Sequence, residues 1–276
     1  MSPVKAIKTF RDLLSFLTII PLGGKEDFIF TTAEHVYLFP LIGAFIGLLG
    51  ALYFVAASHI VDFLLGLVNL VVALPTGFLV NLISAAMTVA FLLVLTGLQH
   101  FDGLIDLGNA VGVRNLHDRK MVAHAWTVTH SGAVLALIVE FAAFVGLVFV
   151  NPLFAFGAII AAEVSAKLAM VTIVWVGKPT HKGLGSIFLS KAKKTVNIVA
   201  YVMAALIVFV VLYFTGDLVL GLVGVGLVLV SVPVAFGMEV VAERVFGGVS
   251  GDMIGATNEV ARAVTLILFA GVLVLL

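Results

Sequence analysis

The sequence predicts an all-α polytopic membrane helix bundle: about seven transmembrane helices plus an N-terminal interfacial helix. Three observations predict it. Hydrophobic residues make up 62% of the chain and charged residues only 11%, with a mean hydropathy of +1.26, whereas soluble domains carry roughly 25% charged residues. Apolar stretches recur at about the 20 residues needed to cross a hydrocarbon core of about 30 Å. Lysine and arginine gather between some of these stretches and avoid others. Residues 1–276 read as a single integral membrane domain. The formal net charge is zero, which implies no nucleic-acid partner. The chain has no cysteine, excluding disulfides and thiolate metal sites.

Residues 1–35 form an N-terminal arm. Its apolar stretch is only about ten residues long, carries Asp12, and lacks the small-residue cleavage site of a signal peptide. From Lys5 to Leu22, Phe10, Leu13, Leu14, Leu17 and Thr18 share one side of a helix, which predicts an amphipathic helix on the bilayer surface. Spans are predicted at 36–58, 78–98, 132–150, 153–176, 196–214, 218–238 and 260–276. Within 59–77, "IVDFLLGLVNLVVALP" is apolar but interrupted by Asp62 and Asn69. Loop charges decide its status. Basic residues fall at 5, 8, 11 and 25, at 114, 119 and 120, at 178, 182, 191, 193 and 194, and at 244 and 262, with Lys167 read as the one inside a span. If 59–77 does not cross, all the others face one side, the cytoplasmic side under the positive-inside rule.

That topology puts 99–131, 177–195 and 244–261 on one face with the arm. In "GLQHFDGLIDLGNAVG", 97–112, Asp102 and Asp106 are i and i+4, so on a helix their carboxylates point the same way, with Asn109 following. Like charges one turn apart repel unless a cation lies between them. Mg²⁺ suits such a pair, because it binds few carboxylates and leaves positions for water and phosphate. A solvated helix end is the plainer alternative. "FGGVSGDMIGATNEV", 246–260, adds four glycines in ten residues and the oxygen donors Asp252, Asn258 and Glu259, a pattern that suits a phosphate-cradling loop or a flexible linker. In "GKPTHKGLGSIFLSKAKK", 177–194, Lys178, His181 and Lys182 with two glycines suit an anionic substrate. Lys191, Lys193 and Lys194 read as anchors to anionic lipid. Together the three segments point to phosphoryl transfer on a membrane-associated substrate.

Other polar residues have plainer readings. Glu163 and Lys167 are i and i+4 within a span, as an ion pair or a substrate contact. Glu140 stands alone in the third span, and Glu239 and Glu243 lie near the end of the sixth. His117, His124 and His130 are spaced irregularly for zinc. "GAFIGLLG", 43–50, reads as helix packing. A secondary transporter would place its polar groups at mid-span, and a CDP-alcohol phosphotransferase would need an arginine that "DGLIDLGN" lacks.

The chain resembles the cobalamin 5′-phosphate synthase family, also called adenosylcobinamide-GDP ribazoletransferase. The resemblance runs through "FLTIIPLGG", "LFPLIGAFIGLL", "TGLQHFDGLIDLGNAVG", "GKPTHKGLGSIF" and "FGGVSGDMIGATNEV", nearly the whole length. It implies a Mg²⁺-dependent reaction that joins adenosylcobinamide-GDP to α-ribazole or α-ribazole 5′-phosphate and releases GMP. By position it implies catalytic roles for His100, Asp102, Asp106 and Asp252, with Asp102, Asp106, Asp252 and Glu259 on the metal. Substrate contacts are expected from Gly103, Asn109, Lys167, Lys178, Lys182, Gly183, Gly185, Gly251, Gly255 and Asn258. Three departures stand out: Asn109 replaces a family acid, Lys167 replaces a family arginine, and residues 119–139 hold no acid. The setting implied is the plasma membrane with the active site on the cytoplasmic face. Membrane lipids are expected partners, and homo-oligomerisation stays open.

Overall fold

The computed structural model describes residues 3–22, 28–123, 125, 127–192 and 195–275, and apart from one β-bridge its regular structure is helical. Lys25, His124, Lys193 and Lys194 lie outside the described residues, as do the side chains of His117 and Lys120. Helix α1 (Pro3–Leu17) buries Leu13, Leu14 and Leu17 of the predicted stripe, with Thr18 just beyond its end, and buries Thr9 and Asp12 as well, while Phe10 is half-buried. Its 15 residues reach about 22 Å, too short to cross a bilayer. The Ile19 amide donates to the Leu95 carbonyl at 2.9 Å, tying the arm to the bundle. Helix α2 (Phe28–Glu34) follows.

Among the described residues, seven helical segments are long and apolar enough to span a membrane, as expected. The first is α3 (Phe39–Asn69), 31 residues without a break. The stretch 59–77 therefore makes no crossing of its own: its first half prolongs α3, and residues 70–75 turn back into α4 (Thr76–Leu95). The chain then runs along one face as α5 (Gln99–Val111) and α6 (Leu116–Ala123). It crosses as α7 (His130–Phe149) and returns as α8 (Pro152–Val176), whose starts are capped by the side chains of Thr129 and Asn151. Short α9 (Leu184–Lys191) lies on the same face as α5, and α10 (Ile198–Thr215) crosses again. The sixth span is two helices, α11 (Leu218–Leu229) and α12 (Ser231–Phe246), meeting at Val230. The last is α13 (Gly251–Leu275).

Helix α8 is the axis of the bundle. Every residue from Gly157 to Val174 is buried, with α3, α10, α12 and α13 packed around it. Glycines let α3 approach. A Cβ on Gly47 would stand 2.7 Å from the Ile160 Cα, and one on Gly43 would stand 2.5 Å from the Glu163 carbonyl oxygen, which is the packing role expected of "GAFIGLLG". The outer faces carry exposed Leu137, Phe141, Leu206 and Leu222, the lipid-facing complement of that core.

Two expectations change. The segment 244–261 is not a loop throughout, because α12 continues to Phe246 and α13 begins at Gly251. Nor is Lys167 the one intramembrane cation: Arg262 lies inside α13 and is 1% exposed. The up–down order of the spans puts Arg114, between α5 and α6, and Asp217, between α10 and α11, on opposite sides. Because the chain has no native cysteine, Arg114→Cys and Asp217→Cys should each be labelled by an impermeant maleimide from one side only, and from opposite sides. Labelling of both from the same side would refute the seven-span order.

Candidate functional site

A reversal at the end of α4 sets the first part of the site. Gly97 and Leu98 take left-handed φ values of 68° and 60°, a conformation that costs glycine little, and the chain turns sharply into α5. Helix α5 is two-faced. His100, Gly103, Leu104, Leu107 and Gly108 are buried, while Asp102 is exposed and Asp106 half-buried one turn further on. The i, i+4 pairing read from sequence is thus realised on a helix.

The buried face meets the start of α13. A Cβ on Gly103 would collide with the carbonyl oxygen of Asp252, and one on Gly255 would stand 3.0 Å from the Cα of His100. The two backbones are in direct contact, which brings Asp252 beside the α5 acids. The loop before α13 is anchored in turn. Val249 donates to the Lys178 carbonyl at 2.7 Å, and Thr180 donates back to Val249 at 3.2 Å, a parallel bridge between the second and third motif segments. Ser250 Oγ accepts the Met253 amide at 3.3 Å, an N-cap in which the helix dipole favours an acid in the first turn. Asp252 occupies that turn. On the far side, a Cβ on Gly185 would stand 2.7 Å from the Gly251 nitrogen, so α9 also touches this corner.

Two pockets flank the acids. One, of about 270 Å³, is lined by Gln99, His100, Asp102, Gly185, Gly251, Asp252 and Gly255, with Phe16, Phe39, Met170 and Phe188 among its apolar walls. The other, of about 280 Å³, is lined by Asp102, Asp106, Asp252, Thr127 and Val128. Asp102 and Asp252 belong to both. Burial, then the charges of Asp252 and Asp102, push the Asp106 carboxyl up to about 7. Burial above all, helped by Lys167 and Arg262, holds His100 well below the usual histidine range, so its ring is neutral at pH 7.

Behind the pockets lies a charged network inside the membrane. Lys167 Nζ donates to Glu163 at 3.1 Å and to the Asn258 amide oxygen at 2.8 Å. Arg262 pairs with Glu140 at 2.9 Å, with Glu163 at 3.5 Å and with Glu259. Asn258 donates to Glu259 at 3.1 Å, and His100 Nδ1 lies 3.7 Å from the same carboxylate.

The network redistributes several expected roles. Lys167, Asn258 and Glu259 are fully buried and committed to one another and to Arg262, and none lines either pocket. Asp252, Gly255 and Glu259 share one helical stripe, but Glu259 lies about 10 Å further along the axis than Asp252, too deep to join it. Asn109 is also engaged. Its amide donates to the Thr127 carbonyl at 2.8 Å, and its oxygen accepts from the Thr129 amide and hydroxyl at 2.9 and 2.7 Å. It fixes the start of α7 rather than facing substrate, and an aspartate there would have no donor for Thr127. Gly103 serves the helix crossing, while Gly185, Gly251 and Gly255 reach the pocket wall. Lys178, Lys182 and Gly183 are exposed beside it without lining it. Arg262 is the residue that sequence reasoning missed; its spacing of three from Glu259 inside an apolar span was the available signal.

Among the described residues no three histidine or acidic side chains stand close enough to form a finished metal site. The chemistry of Asp102, Asp106 and Asp252 nevertheless fits a hard cation. Three carboxylates share one pocket and leave open positions, the donor set that Mg²⁺ favours.

Residues 9–270 match the family described as Cobalamin-5-phosphate synthase. Among curated proteins, the chain is 30% identical to an adenosylcobinamide-GDP ribazoletransferase of Methanocella arvoryzae over 95% of each chain. It is 32% identical to one from Halorubrum lacusprofundi over 94% of this chain and 95% of that one, and 30% identical to one from Haloquadratum walsbyi over 97% and 98%. No solved structure matches it.

The glycines divide into two kinds that mutation separates. Gly103→Ala should destabilise the bundle, because the added methyl has only the Asp252 backbone to displace. Gly251→Val should leave thermal stability nearly unchanged, since a Cβ there meets nothing within 4 Å, while narrowing the pocket mouth. Equal melting losses in both variants would contradict this crossing. For Asp106, the folded state holds a proton that the unfolded chain releases near pH 3.8. In divalent-free buffer, stability should therefore fall as pH rises from about 4 to about 7 and then level off. Asp106→Asn should reduce that slope in a melting series across pH.

Proposed function

This chain belongs to the cobalamin-5-phosphate synthase family, and from that premise we propose that it is a membrane transferase joining adenosylcobinamide-GDP to α-ribazole or α-ribazole 5′-phosphate, with GMP as the leaving group. The observation that carries the reading is the meeting of Asp102, Asp106 and Asp252 at one pocket corner, between two glycine-bearing loops tied by a backbone bridge. Family relatives bearing the same activity name cover nearly the whole chain.

Each residue's task follows from its position. Asp102, Asp106 and Asp252 would hold Mg²⁺, which would supply positive charge to the phosphates and to the departing nucleotide. Gly251 keeps the pocket wall bare, so that a phosphate or sugar approaches the backbone directly, and Gly185 lets α9 close against it. His100, neutral at the pocket edge, offers a ring nitrogen for a hydrogen bond to the reacting hydroxyl. Exposed Lys178 and Lys182 beside the mouth attract an anionic substrate without being buried by it. Arg262, Lys167, Asn258 and Glu259 hold α8 and α13 in register behind the acids.

The reading sets the site on the cytoplasmic face of the plasma membrane. The positive-inside rule supports this, since Arg114, Arg119, Lys178, Lys182, Lys191 and Arg244 all lie on the site's side of the seven spans, and the connections at 70–75, 150–151 and 216–217 carry no basic residue.

Full-length protein in lipid vesicles, given adenosylcobinamide-GDP, α-ribazole and Mg²⁺, should release GMP and form a cobalamin product. Chelation should stop it. Asp102→Asn and Asp106→Asn keep size and hydrogen bonding but remove charge, and should lower turnover by roughly a thousandfold, several kcal/mol in the barrier. Near-normal turnover in both would end the metal-site reading.

A further inference from the structure

The aromatic side of the pocket lined by His100 and Gly251 has no task in the chemistry above. Three rings from three separate elements wall it: Phe16 of α1, Phe39 at the start of α3 and Phe188 of α9. Phe16 and Phe188 are stacked with centroids 4.9 Å apart, and Phe39 lies 6.3 Å from Phe188. Phe39, Phe188 and Met170 are at most 4% exposed, yet a cavity remains between them and the α5–α13 corner. Exposed Leu184 and Gly251 also line it, so it opens outward between α9 and the start of α13.

The wall is chemically divided. Its polar groups, Gln99, His100, Asp102 and Asp252, come from α5 and α13, whereas the rings come from α1, α3 and α9. An occupant matched to it has a flat apolar ring system joined to a hydroxyl-bearing part. At about 270 Å³ the cavity lies near the small end of ligand pockets, roughly 300–1,000 Å³. That admits a bicyclic base with part of its sugar and refuses a corrin-sized macrocycle. A guanine base fits less well, because its polar edge would face rings that offer no hydrogen bonds.

We propose that Phe16, Phe39 and Phe188 form the seat of the acceptor nucleoside's heteroaromatic base, holding its ribose at Asp102 and Asp252. The proposal rests on the transferase reading. It makes the arm helix α1 and the short helix α9 specificity elements, with the acceptor's base replacing water against the rings and its hydroxyl directed at the acid corner shared by both pockets. Stacking on the rings supplies affinity for any flat base, and the apolar wall selects a benzimidazole over a base whose polar edge would go unpaired there.

The test is α-ribazole binding by equilibrium dialysis to the full chain in lipid nanodiscs, without the cobinamide substrate. Wild type should bind, Phe16→Leu and Phe188→Leu should bind roughly tenfold more weakly, and Phe188→Tyr should restore affinity. Phe141→Leu, on the lipid face, should change nothing. Phe16 is only half-buried on the arm helix, so its variant spares the core if Phe188→Leu fails to fold. In turnover, the KM for α-ribazole should rise by about the same factor while that for adenosylcobinamide-GDP stays within about twofold. No α-ribazole binding by wild type, unchanged affinity in the leucine variants, or a KM increase confined to adenosylcobinamide-GDP would each overturn the seat. Ring-dependent binding with no GMP release would leave the seat standing and overturn the transferase reading instead.

Discussion

A charge in hydrocarbon must find its opposite within the protein. Arg262 lies about 17 Å along α13 from Gly251, near the middle of a core about 30 Å thick, where an unpaired arginine costs at least about 2.5–3.5 kcal/mol. Glu140 of α7, Glu163 of α8 and Glu259 of its own helix answer it. Lys167 adds a second cation against Glu163 and Asn258. Three helices are locked by groups that have no alternative partner in lipid. The fourth, α5, reaches the cluster through His100. Losing either cation would leave buried carboxylates unanswered, at about 3–5 kcal/mol, so the helices cannot slide or rotate past one another cheaply. The acids above depend on that rigidity for their spacing.

The same helices therefore carry two chemistries at two depths. Along α13, Asp252 at the first turn faces the pockets, while Asn258 and Glu259 face the ionic cluster. On α5 the division is by side: Gly103 and Gly108 meet neighbouring backbones, and Asp102 and Asp106 look outward. Direct backbone contact at Gly103 allows carboxylates from two helices to share one corner. A larger side chain there would separate the helices and dilute the mutual repulsion that raises Asp106.

Much of this was legible in the residues. Long apolar runs and one-sided basic loops yielded seven spans. The Asp102–Asp106 spacing yielded a shared helical face, and "GAFIGLLG" yielded a packing stripe. Depth was not legible. "SGDMIGATNEV" reads as one patch of ligands, but a helix rises about 1.5 Å per residue, and the motif descends from the pocket into the membrane interior. Arg262 groups with the loop cations in sequence because two of its partners, Glu140 and Glu163, lie 122 and 99 positions away. Asn109 reads in sequence as a substrate contact, since nothing in its neighbourhood announces the three hydrogen bonds it makes at the start of α7. Phe16, Phe39 and Phe188 are ordinary core residues by type, and only the fold brings them together.

The uninterrupted length of α3 has a mechanical consequence. Thirty-one residues make a rod of about 46 Å, half as long again as the hydrocarbon core. Asp62, about 35 Å from Phe39 along that rod, is exposed and stands farther along it than a hydrocarbon core of about 30 Å extends. The upper end bears Phe39, one wall of the pocket, and packs at Gly43 against α8. A thinner bilayer makes such a rod lean or stretches the lipid around it, and either response bears on the end that borders the pocket. Acyl-chain length thereby becomes a variable felt at the wall of the pocket.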